Sequence, residues 1–132
     1  NVDEAIALLQ QYDMHSSMNV AHHFALCDTT GKYAVVEYVD NQLVVTESIA
    51  CTNHRLTCST QPTDTALQPA ISNSQQRLEQ LLAAPNSKSL LNSMQDVAFD
   101  GWTRWSVVFN PNHKQATYYF NADFSTPYTI EL

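Results

Sequence analysis

The pattern of apolar and polar residues in the first segment of the chain predicts a helix over Val2–Gln11. Its apolar positions, which include Ile6 and Leu9, fall on one face of a helix with about 3.6 residues per turn. Asp3 and Glu4 stand in the first turn, where the helix dipole favours negative charge. The segment therefore reads as an amphipathic helix with one face against the rest of the protein.

Strand patterns follow this helix, and the short connections between them predict an antiparallel meander. The predicted strands are His23–Asp28, Tyr33–Val39, Leu43–Glu47 and Ile49–Thr52. Gly31, in the first connection, supplies the backbone conformation that a hairpin turn requires. Connections of this length join neighbouring strands in antiparallel order. Asp28 and Glu37 are interpreted as a turn residue and a strand-surface residue.

The middle of the chain predicts a loop followed by two helices. The loop covers Arg55–Pro69, and the helices cover Ser72–Ala84 and about Ser87–Gln95. Leucines at helical spacing form an apolar stripe on the first of these helices. Ser72 and Gln75 are spaced as a capping box, and Pro85 is predicted to end the helix.

The last part of the chain returns to strands. These are predicted at Thr103–Asn110, Gln115–Asn121 and Tyr128–Leu132. The order of elements predicts an α+β fold with an antiparallel sheet, formed as one domain over residues 1–132. Tyr33–Val39 and Thr103–Asn110 are apolar on both faces, as is typical of strands covered on both sides. Two or three helices are few for that task, so we expect a further layer to come from elsewhere.

Composition narrows the classes of partner. The net charge of −7, with only six basic residues, argues against a nucleic-acid partner. Charged residues make up 14% of the chain, compared with about 25% in a typical soluble domain. Uncharged polar groups cost less to desolvate than charges, so this surface is more easily buried against another polypeptide. No apolar run is long enough to predict a membrane span.

The cysteines and histidines give no metal-site pattern. Cys27, Cys51 and Cys58 lack the C-x-x-C spacing, and His22 and His23 would point to opposite faces of a strand. No metal or other cofactor is therefore predicted. Two interpretations of the thiols stay open: a Cys51–Cys58 bridge in an exported protein, or reduced thiols. Localisation, in the cytoplasm of a bacterium or outside it, stays open with them.

Several segments, in this order, resemble the choloylglycine hydrolase and linear amide C–N hydrolase families. They are Val2-Asp3-Glu4-Ala5, His23 to Gly31, Val35-Val36-Glu37-Tyr38, Thr52-Asn53-His54, Ser74-Gln75-Gln76-Arg77-Leu78, Trp105 to Phe109, Tyr118-Tyr119-Phe120 and Pro127-Tyr128-Thr129-Ile130. Each segment alone is weakly specific, but their order extends the resemblance along most of the chain.

The resemblance implies an N-terminal-nucleophile (Ntn) hydrolase with a four-layer αββα sandwich. Such enzymes cleave non-peptide amides, including conjugated bile salts, penicillin V and acyl-amines. Their nucleophile is an N-terminal Cys whose own α-amino group acts as the base, without a cofactor. Residue 1 here is Asn, so we expect this chain to be the C-terminal part of such a domain. Inactive alone, it would partner the N-terminal half of the same protein and a small-molecule amide.

Two residues are the catalytic candidates that the resemblance implies. Asn53 would donate its amide N–H to the oxygen of the tetrahedral intermediate, as an uncharged group can do without titrating. Arg77, expected in the first turn of its helix, would hold the thiolate or a carboxylate. The structural alternatives are a turn residue for Asn53 and a surface pair with Glu79 or Asp64 for Arg77.

The aromatic residues near the end of the chain admit two interpretations. They are Trp102, Trp105, Tyr118, Tyr119 and Phe120. We interpret them as sheet core, with the lining of an acyl or sterol pocket as the alternative. A rival to the enzyme is a non-catalytic binding or assembly module of the same fold, in which self-association covers the exposed sheet.

Overall fold

The computed structural model describes residues 1–12, 14, 22–57, 68–83, 90–99 and 101–132. The chain divides into two compact units, Asn1–Ala83 (unit 1) and Ala84–Leu132 (unit 2). The elements of unit 1 are α1 (Val2–Leu9), β1 (His23–Cys27), β2 (Tyr33–Val39), β3 (Gln42–Thr46) and α2 (Gln68–Ala83). Those of unit 2 are α3 (Leu90–Asp96), β4 (Trp105–Asn110), β5 (Gln115–Phe120) and β6 (Asp123–Glu131).

The predicted α+β class and the antiparallel order of the strands are confirmed. The described strands form two three-stranded sheets, ordered β1-β2-β3 in unit 1 and β4-β5-β6 in unit 2. Each sheet is a meander in which every strand pairs with its neighbour in sequence. None of the described helices combines the length and the apolar character that a membrane span requires.

The centre of unit 1 is β2, which is buried on both faces as its apolar pattern predicted. Ala34, Val35, Val36 and Glu37 are all buried, and Val36 pairs with strands on both sides. Helix α1 contacts β1 and β2. Burial on both faces makes any polar side chain in this stretch an internal group, and Glu37 is the one that occurs there.

The connection between α1 and the first hairpin depends on the carboxylate of Asp28. One oxygen accepts a hydrogen bond from the backbone N–H of Val2 at 3.0 Å, and the other accepts from the N–H and hydroxyl of Thr30 at 2.9 and 2.6 Å. These bonds, led by the Thr30 hydroxyl and followed by the Val2 N–H, lower the pKa of Asp28 to about 2. Asp28 therefore joins the first turn of α1 to the β1–β2 turn.

This lowered pKa predicts an acid-dependent loss of stability. The ionised form is favoured in the folded state, so its stabilisation is present above the ordinary pKa of 3.8 and is lost as pH falls towards about 2. We expect Asp28→Asn to unfold more easily at neutral pH and to show a flatter pH dependence in this window. Urea titrations at pH 2 to 7 test this, with the exposed Glu79→Gln as control. A parallel pH profile for Asp28→Asn would contradict it.

Two predictions for unit 1 are wrong. The segment at Ile49–Thr52 is not a strand: the Ser48 hydroxyl donates to the carbonyl of Ala50 and accepts from its N–H, a local turn that competes with strand pairing. Helix α2 begins at Gln68, so Ser72 lies inside it and does not cap it. Pro69 is tolerated there because the N–H groups of a first turn have no partner within the helix.

The last strand is longer than predicted because the turn before it was missed. Phe120 pairs with Asp123 across Asn121 and Ala122, whose φ angles are +52° and +58°. Two positive φ values are the signature of a type I′ hairpin turn, for which Asn-Gly is the usual sequence. Pro127 lies within β6, which is at the edge of its sheet, where proline is tolerated.

The prediction that strand β4 of unit 2 is covered on both sides is wrong. Residue pairing across the sheet defines one side, here named the apolar face: Trp105, Val107, Phe109, Ala116, Tyr118, Phe120, Tyr128 and Ile130. Among the aromatic residues interpreted as core, Tyr119 is buried on the other side, whereas Trp102, Trp105 and Phe120 are exposed. Aromatic character alone did not distinguish a buried face from an open one.

Candidate functional site

The structure brings Asn53 and Arg77 together, although 24 residues separate them in sequence. Asn53 lies in the loop that follows β3, and Arg77 lies in the third turn of α2 instead of the first. The Nη2 atom of Arg77 donates to Oδ1 of Asn53 at 2.7 Å, and its Nε donates to Oδ1 of Asn73 at 2.9 Å. Of the surface partners considered for Arg77, Asp64 lies outside the described residues.

This contact fixes the orientation of the Asn53 side chain. A guanidinium has only donors, so the oxygen of the amide must face Arg77 and the NH2 group must point away. Among the described residues, Nδ2 of Asn53 has no hydrogen-bond partner, and Asn53 is exposed. The result is an oriented, uncharged donor at the surface of unit 1, with a positive charge behind it.

Three side chains hold the Asn53 loop to α2. The Thr52 hydroxyl donates to the carbonyl of Ser74 at 2.8 Å and accepts from the Ser74 hydroxyl at 2.9 Å. The hydroxyl protons of Thr52 and Ser74 are both used in these bonds. Nδ1 of His54 is therefore the donor to Oγ of Ser74, which lies 2.9 Å away. Burial, ahead of the charges of His23 and Arg77, lowers the pKa of His54 against the opposing effect of Glu37. Its surroundings therefore favour the neutral form of the His54 ring.

The His54–Ser74 pair has the same side-chain types as the general base and nucleophile of a serine hydrolase, but not their arrangement. Ser74 is 1% exposed, and its hydroxyl proton is directed to Thr52. A nucleophile must be reachable by substrate and aligned with its base. The pair is instead a structural connection between the Asn53 loop and α2. Sequence reasoning missed it, because Ser74 and His54 are 20 residues apart.

A second connection holds the same loop to β2 through Glu37. This carboxylate is 0% exposed and accepts four hydrogen bonds. The donors are the N–H of Leu56 at 3.0 Å, the N–H and hydroxyl of Thr57 at 3.2 and 2.9 Å, and Nδ1 of His23 at 2.6 Å. Burial raises the pKa of Glu37, but these bonds together lower it below its ordinary value.

The interpretation of Glu37 as a strand-surface residue is therefore wrong. The signal that could have corrected it was present in the sequence, because Glu37 interrupts a strand that is apolar on both faces. A charge in such a strand must be buried, and a buried carboxylate needs donors nearby. The identity of those donors, in a loop about 20 residues further along, was not readable.

The remaining sulfur and metal candidates do not add chemistry to this site. Cys27 and Cys51 are free thiols, while Cys58 lies outside the described residues. Burial, followed by the charge of Glu37, raises the pKa of Cys51, so that it is a thiol and not a thiolate. Among the residues that the structure describes, no group of three or more His, Cys, Asp or Glu could hold a metal ion.

The described surroundings of Asn53 thus supply a hydrogen-bond donor, whereas Ser74 and Cys51 are not activated as nucleophiles. Such a donor can stabilise negative charge that develops on a ligand, without itself losing or gaining a proton. No protein-family model matches the chain, and neither the curated proteins nor the solved structures contain a significant match.

Proposed function

We propose that this chain is the C-terminal part of an Ntn amidohydrolase that cleaves non-peptide linear amides of the bile-salt, penicillin V or acyl-amine type. The nucleophilic Cys is assigned to sequence that precedes residue 1. The single observation that carries the proposal is the 2.7 Å hydrogen bond from Arg77 to Asn53. It joins the two residues that the family resemblance selects as catalytic.

The proposed chemistry requires a donor at the oxygen of the tetrahedral intermediate. As a thiolate attacks the amide carbon, negative charge moves to the former carbonyl oxygen, and donors already oriented towards it lower the barrier. Asn53 has Oδ1 held by Arg77 and its NH2 group directed outward. The guanidinium also polarises the amide, which makes Nδ2–H a stronger donor. Arg77 is in this view a positioning residue and Asn53 the catalytic one.

The architecture is compatible with half of an αββα sandwich. Each unit contributes an antiparallel meander with at least one helix, and no parallel crossover occurs among the described strands. The sandwich itself is part of the proposal, as is the second half that would complete it. The same proposal requires the 132-residue chain to be inactive when it is alone.

The direct test compares amide hydrolysis by this chain alone and by the protein that carries its upstream sequence. Penicillin V, a glycine-conjugated bile salt and an N-acyl amine represent the three substrate types. We expect turnover only when the upstream part is present, and its loss when an N-terminal Cys there is alkylated. Absence of turnover on all three substrate types, with both parts folded, would contradict the proposal.

A second candidate, a non-catalytic assembly module, is favoured by one specific observation. The apolar face of unit 2 leaves large side chains in contact with solvent, among them Trp105 at 66% and Phe109 at 57% exposure. Such a surface is typical of a protein that binds another polypeptide. The two candidates differ in their response to Asn53→Ala, which would impair the enzyme and leave an assembly module unchanged.

A further inference from the structure

The apolar face of unit 2 is continuous across all three strands of its sheet. Trp105 lies opposite Phe120, and Ala116 lies between Phe109 and Ile130. The rings of Tyr118 and Phe120 stack with centroids 6.3 Å apart, and Phe120 meets Tyr128 edge-on at 5.6 Å. These contacts make one cluster and not a scatter of single exposed residues.

The cluster exposes an apolar area at the upper end of the roughly 300–600 Å² that the largest patch of a soluble monomer usually covers, and such patches are often functional. The exposed fractions are 66% for Trp105, 57% for Phe109, 57% for Tyr128, 49% for Ile130 and 46% for Phe120. With about 150–250 Å² for a whole aromatic side chain, these residues together expose roughly 500–600 Å². Patches above a few hundred Å² mark interaction sites.

The two faces of this sheet differ in character, and both expose side chains to solvent. The other face carries polar side chains, including Thr117 and Thr129, whose hydroxyls hydrogen-bond at 3.0 Å, and Glu131. An antiparallel sheet normally places its polar face towards water and its apolar face against a core. The apolar face of unit 2 therefore exposes side chains that such a sheet normally buries.

The distribution of charge allows a second copy of unit 2 to pack against the apolar face. The eight residues of the face carry no charge. In residues 84–132 the charged residues are Lys88, Arg104, Lys114, Asp96, Asp100, Asp123 and Glu131, which is three positive and four negative. Unit 2 therefore has a net charge of −1, and the other −6 of the chain's −7 belong to unit 1. Two copies of unit 2 can approach with little repulsion.

We infer that this chain forms a two-fold dimer in which the apolar faces of unit 2 pack against each other. A two-fold interface uses the same patch on both subunits, and an uncharged apolar sheet face is complementary to itself. The two sets of side chains would bury roughly 1,000–1,200 Å² in total, close to the lower limit of about 1,200 Å² for stable, specific interfaces. Sheets pack in this way about 10 Å apart.

Sedimentation velocity of the 132-residue chain over a wide concentration range tests this inference. We expect a monomer–dimer equilibrium, and Phe109→Thr or Trp105→Thr should each raise the dimer dissociation constant at least about 10-fold. Both side chains are more than half exposed, so the fold should survive, and the thermal unfolding of dilute monomer verifies this. Tyr33→Thr is the matched control, since Tyr33 is an exposed strand aromatic of unit 1.

The fluorescence of Trp105 gives a second readout of the same face. In a Trp102→Phe background it is the only tryptophan, and its emission should shift to the blue as the dimer forms. A chain that stays monomeric at every concentration overturns the inference. In that case blue emission would show the face covered by the same chain, and red emission would show it open. Unchanged dimer affinity in both threonine variants overturns it equally.

Discussion

Asn53→Ala is expected to lower the turnover of an amide substrate about 100- to 1,000-fold in the protein that carries its upstream nucleophile. The substitution removes the one donor whose direction Arg77 fixes at 2.7 Å. Because Asn53 is exposed, the unfolding midpoint should change little. The loss should fall on kcat more than on KM, since the donor acts on charge that exists only in the transition state.

Two further variants separate this donor role from a structural one. Asn53→Asp keeps the size and the contact with Arg77 but replaces the NH2 group by an acceptor, so we expect turnover to fall at least as far as in the alanine variant. Asn112→Ala removes an exposed asparagine from the β4–β5 connection and should be silent. Turnover within a few-fold of the parent for both Asn53 variants would remove Asn53 from the site.

Glu37→Gln is expected to lower the free energy of unfolding by about 2–4 kcal/mol. The carboxylate accepts from Leu56, Thr57 and His23 while fully buried, and hydrogen bonds to charged groups are worth about 1.5–3 kcal/mol each. A glutamine has one acceptor oxygen, and its NH2 group would face donors that it cannot bond. Urea denaturation at pH 7 gives the difference by linear extrapolation.

The pH dependence of that difference provides an internal check. Because the pKa of folded Glu37 is lowered, its stabilisation is present above the unfolded pKa of about 4.3 and is lost as pH falls below it. The gap between the parent and Glu37→Gln should therefore narrow in acid. Glu47→Gln, at an exposed position directly after β3, should leave stability unchanged at pH 7. A loss below about 1 kcal/mol for Glu37→Gln would contradict the role assigned to this carboxylate.

The parts of the fold that were predictable are those set by local pattern. Strand β2 was placed at its observed bounds, Tyr33–Val39, because a run of β-branched and aromatic residues between turn signals has few other interpretations. The start of α2 was missed by four residues, since the first turn contains Pro69, which usually signals a loop. Asn121-Ala122 forms a tight turn but lacks the glycine that usually identifies such a turn in a sequence.

The sequence predicted which residues form the candidate site, but not the contacts that hold them in place. The family resemblance selected Asn53 and Arg77, and the structure places them in contact. Their supports, Ser74 and Glu37, act through bonds that span about 20 residues, and no local pattern encodes such pairs. The exposure of Trp105 was also not predictable. An apolar strand has the same sequence pattern whether it packs against its own chain or against another polypeptide.

The two connections of the Asn53 loop have a consequence for local motion. Ser74 holds residues 52 and 54 to α2, and Glu37 holds Leu56 and Thr57 to β2. A segment fastened on both sides of Asn53 to the packed elements of its unit has no low-energy opening of its own. Amide hydrogen exchange at Leu56 and Thr57 should then proceed at the rate set by unfolding of the whole unit. The orientation of the Asn53 donor would therefore be lost only when the unit unfolds. A state in which the unit is intact and the loop is displaced is not expected.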